Sequence, residues 1–347
     1  MIIARSPLRI SFAGGGTDIP QFYRKYGPGV VVSTSIDKYL YVTFTQKFGK
    51  GVSVRYRNHE SCDHVEDLAH NLIRETLLHY DIHDSVELVI ISDVPASGSG
   101  LGASSALTCA LVAVLERYKG QDAFDPAVIA EIASKIEIDK VGSPIGKQDQ
   151  YASAFGGFNQ IQFNEDDSVE VRNFESQDFI NEIESQSMLF YLNIEHTYHS
   201  IEKNKTVTDF KFVPKILREQ VATIEKNKNI HRLQRDNAVN LWDHMKYEVP
   251  ERFIDHVNEN WRLKRSSHPE ISSPEIDSII QRAYKAGATA AKVCGAGGGG
   301  FVYFMVPHSM QDDVRKELSE LHELKFKFED RGVEVIFEDS QRSGVAV

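Results

Sequence analysis

The sequence predicts an α+β protein of two domains. Strand-like alternation and helical spacing take turns along the chain without settling into a regular βαβ series. Two glycine-rich loops, at 95–104 and 295–300, each stand at a change of pattern. The length of 347 residues, at about 150 per domain, favours two units.

Leu8, Ile10 and Phe12 alternate with polar or small residues and predict a strand ending at Gly14, Gly15 and Gly16. Residues 30–36 and 38–46 read as two more strands, and Val52, Val54 and Tyr56 as a fourth. The spacing of Val65, Leu68, Ala69, Leu72, Ile73, Thr76, Leu77 and Tyr80 predicts a helix. Residues 85–92 return to strand, and 105–118 form a helix leaving the first glycine loop. A strand pair follows near 158–174. The acidic stretch 164–186 carries the boundary, giving domains 1–180 and 181–347. Residues 206–266 read as mostly helical. The chain ends with a strand, the second glycine cluster, another strand, a helix around 309–322 and a closing strand around 333–338.

Hydrophobic residues make up 41%, enough for a core in each domain. A net charge of −11 argues against nucleic acid or an anionic membrane surface as partner. Cys62, Cys109 and Cys294 form neither metal spacing nor a disulfide framework and read as reduced thiols. MIIARSPLRI lacks a signal-peptide core, and no apolar run reaches the length of a membrane span. The expected location is the cytoplasm. The thirteen histidines show no zinc pattern.

Four segments carry chemistry. Pro95-Ala-Ser-Gly-Ser-Gly-Leu-Gly-Ala-Ser-Ser105 sits between a strand and a helix. Its glycines permit close backbone approach, and the helix offers free N–H groups and a positive dipole end for phosphate. A flexible turn with a serine cap is the plainer alternative. The loop is neither a Walker A motif nor a dinucleotide fingerprint. Lys292-Val-Cys-Gly-Ala-Gly-Gly-Gly-Gly-Phe301 holds four consecutive glycines, a costly sequence that implies close approach to something. Arg9 precedes Gly14-Gly-Gly-Thr-Asp18, whose acid could accept sugar hydroxyls or simply cap a helix. Gly146-Lys-Gln-Asp-Gln150 follows Glu137, a second carboxylate on a predicted helix. The two acids could divide metal binding and proton acceptance, or be solvated surface charges.

Together these segments resemble the GHMP kinases, the superfamily of galactokinase, homoserine kinase, mevalonate kinase and phosphomevalonate kinase. The match falls near 5–18, 95–106, 137–157 and 292–305, in the family's order. PASGSGLGASSAL is similar to the family's P-x-x-x-G-L-G-S-S-A loop, with Ala103 departing from the first serine. RSPLRISFAGGGTDIPQFY and GKQDQYASAFGG look most like D-glycero-D-manno-heptose 7-phosphate kinases, with the fucokinase domain next.

The resemblance implies a two-domain GHMP kinase fold. The N-terminal domain would be like ribosomal protein S5 domain 2 and bind ATP. The C-terminal domain would be ferredoxin-like, with the site in the cleft between. It implies ATP and Mg2+, with Asp149 as catalytic base and Arg9 as its basic partner. Ser104 and Glu137 would hold the metal. Pro95, Gly98, Ser99, Gly100, Leu101, Gly102, Ala103, Ser104 and Ser105 would line the nucleotide. Gly15, Gly16, Thr17, Asp18, Gly297, Gly298 and Gly299 would meet the substrate. Gly15 and Gly16 stand where galactokinases carry Glu-His, which predicts a larger pocket. The implied partner is a small sugar phosphate, phosphorylated at the C1 hydroxyl of D-glycero-D-manno-heptose 7-phosphate for nucleotide-heptose and surface polysaccharide synthesis. Arg5, Lys147, Lys203 and Lys205 are the candidates for the substrate phosphate, or else surface charges. The competing readings are a fucokinase, a phosphomevalonate kinase, a diphosphomevalonate decarboxylase and a kinase-like sensor without catalysis.

Overall fold

The computed structural model describes residues 1–95, 98–192 and 215–339. The chain opens with β1 (Ile2–Ala13), α1 (Pro20–Tyr26), β2 (Gly29–Gln46), β3 (Val52–Arg55) and β4 (His59–Cys62). Next come α2 (Asn71–His79), β5 (Val86–Ser92), α3 (Ala103–Tyr118) and α4 (Pro126–Ser134). A π-helical turn at Lys135–Lys140 leads to α5 (Gln148–Phe155), β6 (Phe158–Phe163) and β7 (Val169–Asn173). α6 (Gln177–Ser185) feeds β8 (Ser187–Tyr191). Then follow α7 (Lys215–Ala222), α8 (Ile224–Met245), α9 (Pro250–Ser267) and α10 (Pro274–Lys285). The last elements are β9 (Ala290–Val293), β10 (Phe301–Met305), α11 (Gln311–Glu317), β11 (His322–Leu324) and β12 (Glu334–Glu338).

The first sheet runs β12-β1-β2-β5-β3-β4, with β6 on β2 and β7 beside β6. The predicted strands 30–36 and 38–46 are one strand of 18 residues. What separates them is a bulge: Leu8 pairs with Ile36 and Pro7 with Tyr39, so Asp37 and Lys38 are extra. The bulge splits β2 into two halves, the first pairing with β6 and the second with β5. The last strand returns to this sheet, with Ile2 opposite Glu338.

The second sheet is β11-β8-β10-β9. In chain order its strands stand fourth, first, third and second, all antiparallel. α10 precedes the second strand and α11 the fourth, the ferredoxin-like arrangement the resemblance implies.

β10 shows how the two units join. Phe301, Tyr303 and Met305 pack into the core of the first sheet. Val302 and Phe304 pack with α10 and α11 residues such as Ile276 and Val314. Period-two alternation thus buries both faces. Phe12 of β1 meets Tyr303 edge-on at 5.4 Å, tying the sheets together beneath the cleft. α3 is apolar nearly all round and accordingly runs through the core, with Ala106 to Leu115 all buried.

Candidate active site

Between the two units lies a cleft of about 370 Å³. Arg9 reaches it from β1 and Asp149 from the first turn of α5. Arg9 Nε donates to Asp149 Oδ1 at 2.7 Å and Nη2 to Oδ2 at 2.8 Å, a bidentate pair. Nη1 donates to the Gly100 carbonyl at 2.6 Å. The Arg9 side chain is 4% exposed and that of Asp149 24%, so the carboxylate faces the cleft while its partner lies beneath.

The glycine loops meet each other as well as the cleft. A Cβ at Gly100 would lie 2.6 Å from the Cys294 carbonyl oxygen, and one at Gly295 would lie 2.4 Å from Gly100 Cα. The Phe301 N–H donates to the Ser99 carbonyl at 3.0 Å. Much of the glycine need is therefore loop against loop. Gly102 caps α3 with φ of 78°, a left-handed conformation that suits glycine. Ala103 and the exposed Ser104 begin the helix at the cleft wall, with first-turn N–H groups free of helical partners. Gly98, Ser99, Gly100 and Gly102 line the same wall. Leu101 and Ser105 are buried beneath it, and Pro95 is exposed outside the lining. Residues 96–97 fall outside the described residues.

In the GGGTD turn, Gly15, Gly16 and Asp18 line the cleft. Asp18 is buried, and both its oxygens are engaged: Gly16 N–H at 2.9 Å, Gln148 Nε2 at 3.1 Å and Gln148 N–H at 3.1 Å. Burial raises its pKa, against the backbone bond from Gln148. Thr17 points elsewhere. Its hydroxyl bonds the Gly14 and Val30 carbonyls and fixes the turn onto β2, so it is not a substrate contact here. Nor does Gly16 leave empty space, because a Cβ there would lie 3.2 Å from His231 Cε1. The room expected from two missing side chains exists only beside Gly15. Gly297 and Gly299 line the cleft, whereas Gly298 donates to the Ile271 carbonyl at 2.9 Å and faces away.

Glu137 and Ser104 do not share one open position. Glu137 is buried outside the cleft lining, and its Oε1 accepts from Gln150 Nε2 at 3.0 Å. Burial pushes its carboxyl up to about 7, against the bond from Gln150, and Asp149 adds to the push. A hydroxyl and a carboxyl starved of solvation are hard oxygen donors that suit magnesium.

Apart from Arg9, the cations of the cleft are not the predicted ones. Arg5 pairs with Glu334 at 2.5 Å and lies over Tyr39, outside the lining. Lys147 pairs with Asp167 at 3.7 Å, also outside it. Lys203 and Lys205 fall outside the described residues. Lining the cleft instead are Lys264 of α9 and Lys292 of β9, with His231 and Gln234 of α8. Lys264 Nζ donates to the Gly295 carbonyl. Lys292 Nζ donates to the Ser11 and Phe12 carbonyls. Lys292 was legible as a charge inside an apolar strand beside the glycine loop. Lys264 sits among other basic residues of an amphipathic helix and carried no signal.

Comparison with known proteins agrees with this geometry. The family described as GHMP kinases N terminal domain matches residues 64–157, and GHMP kinases C terminal matches 245–324. A D-glycero-alpha-D-manno-heptose 7-phosphate kinase of Campylobacter jejuni is 28% identical over 330 residues, covering 91% of this chain and 93% of that protein. A mevalonate kinase of Methanothermobacter thermautotrophicus is 30% identical over 242 residues, covering 67% and 69%. A D-glycero-D-manno-heptose 1-phosphate kinase structure from Bacteroides thetaiotaomicron superposes with a TM-score of 0.76 at 21% identity, covering 98% of this chain and all of that one. From its fold, its glycine loops and these matches together, the chain belongs to the GHMP kinases.

Proposed function

We propose that the chain is an ATP- and magnesium-dependent sugar kinase acting on the C1 hydroxyl of D-glycero-D-manno-heptose 7-phosphate. The product would be the 1,7-bisphosphate, serving nucleotide-heptose and surface polysaccharide synthesis in the cytoplasm. The Arg9–Asp149 clamp carries the kinase reading. It fixes a half-buried carboxylate between a helix N-terminus and the GGGTD turn. The heptose assignment is supported by the Campylobacter relative, which matches nearly end to end.

On this reading residues 1–180 form the nucleotide-binding domain and 181–347 the second domain, except that the closing strand Glu334–Glu338 returns to pair with β1 in the first sheet. The α3 N-terminus and the loop 98–104 take the phosphates. The acceptor hydroxyl donates to Asp149 and attacks the terminal phosphorus. The bond from phosphorus to the bridging oxygen breaks, ADP leaves with that electron pair, and the hydroxyl proton passes to Asp149. The transition state is loose and needs positioning more than a strong base, which suits a carboxylate already held by two arginine bonds. Magnesium would supply positive charge to the phosphate oxygens from Ser104 at the cleft wall, while Glu137 lies buried outside the lining rather than open to the metal.

The test is a comparison of kcat/KM for the heptose 7-phosphate, its 1-phosphate isomer, the free heptose, fucose, galactose and mevalonate. The 7-phosphate should lead. Preference for a hexose or for mevalonate would overturn the heptose assignment and leave the kinase standing.

A further inference from the structure

The cleft holds more positive charge than this mechanism uses. Lys264, in the last turn of α9, rests its amine on the Gly295 carbonyl, at the point where Gly295 meets Gly100. The carbonyl of Gly100 takes Arg9 Nη1 at 2.6 Å, and the same guanidinium clamps Asp149. Ammonium, guanidinium and carboxylate therefore gather around one junction, and α3 begins three residues beyond Gly100. An acceptor hydroxyl bonded to Asp149 lies about 3 Å from it, and the phosphorus under attack roughly another 3–3.5 Å on. That phosphorus must sit beside the same junction. The geometry points to Lys264 as a further catalytic residue, a cation that contacts the nucleotide's terminal phosphoryl group as it passes to the acceptor oxygen.

The assignment rests on the kinase reading but not on the identity of the sugar. In the transfer described above, negative charge spreads over the equatorial and bridging oxygens, where a fixed cation is most useful. Lys264 has three N–H donors and gives one to Gly295. Its side chain lines the cleft and is half-buried, so an anion can reach it. Lys292 is the less suitable partner, being fully buried with its amine on two β1 carbonyls.

Burial pulls Lys264 down to about 8; Cys294, Asp149 and Asp18 favour its charge and Arg9 opposes it. Burial, reinforced by the charge of Lys264, pulls Lys292 down to about 7. Lys264 is the less depressed of the two amines, and it loses its proton as pH rises through about 8.

The experiment measures ATP and ADP binding by calorimetry without acceptor, alongside kcat, for the full chain and for Lys264→Met and Lys264→Arg. The unaltered chain should prefer ATP at pH 7 and lose part of that preference above about pH 8. Lys264→Met should bind ADP normally and lose about tenfold or more of the ATP preference. Its kcat should fall roughly 100- to 1000-fold. Lys264→Arg should keep the preference at pH 9, because a guanidinium stays charged. If Lys264→Met fails to fold, that pH comparison decides alone: an arginine variant with an unchanged alkaline loss would overturn the assignment. So would a methionine variant with unaltered ATP preference and kcat. Weakened sugar phosphate binding with normal nucleotide preference would assign the ammonium to the acceptor's phosphate and likewise overturn it. Failure to bind either nucleotide would overturn the kinase reading and this assignment with it.

Discussion

Asp18 caps a helix that begins far along the chain, its Oδ2 accepting the Gln148 N–H at 3.1 Å across 130 residues. The next residue is Asp149. The sugar-side turn and the base-bearing helix are thus one mechanical unit. Gly146 exists to permit it, because a Cβ there would fall 2.0 Å from Asp18 Oδ2.

Asp18→Ala should therefore lower stability by about 1–2 kcal/mol through loss of the cap. It should also lower kcat by displacing Asp149. Urea unfolding and steady-state kinetics check both, and Asp18→Asn should recover part of each. Full stability in Asp18→Ala would show that the cap is not needed.

Asp149→Asn should reduce kcat roughly 100- to 10,000-fold while ATP binding stays within a few-fold of normal. Calorimetry and single-turnover kinetics separate the two effects. A variant keeping half of the turnover would remove Asp149 from the proton's path.

Gly100→Ala and Gly102→Ala should fail differently. At Gly100 a Cβ meets the Cys294 carbonyl at 2.6 Å, backbone that cannot yield cheaply. Melting temperature should fall first, with ATP affinity following as the loops part. At Gly102 the nearest atoms are Arg9 Cγ at 3.3 Å and Asp149 Cγ at 3.5 Å. That variant should melt closer to normal, with its left-handed strain of roughly 1 kcal/mol, and lose turnover through the clamp. Thermal melts beside kcat distinguish these outcomes.

Lys292 gives stability a dependence on pH. Its folded value of about 7 lies below the ordinary 10.5, so between those limits the unfolded chain binds more protons. Stability should then rise with pH from about 7 towards 10, at up to ~1.4 kcal/mol per unit from this group. Lys292→Met should lessen that rise in denaturant titrations, leaving the share of Lys264, whose value of about 8 is also depressed. An equal slope in both proteins would show that Lys292 is not the source.

Much of the fold was legible because local patterning records local geometry. Alternation marked β1, β5 and the closing strand near its observed Glu334–Glu338, and the apolar run marked α3. The bulge at Asp37 and Lys38 was not legible, since a two-residue excess is defined only against β1. Resemblance, not spacing, suggested the pairing of Arg9 with Asp149, residues 140 apart in the chain.

By itself the sequence determined where the backbone must turn, which stretches must be buried and which segments hold the glycines, carboxylates and serines of a phosphoryl-transfer site. Only the tertiary structure decided what those residues face. It set Gly100 against Gly295, turned the Thr17 hydroxyl onto β2, made Asp18 a helix cap and brought Lys264 and Lys292 into the cleft. The physical reason is range. Period and propensity act over a few residues, whereas the Thr17 hydroxyl meets Val30 13 residues on, Asp18 meets Gln148 across 130 and Lys292 meets Ser11 across 281, and such partners exist only once both sheets have packed.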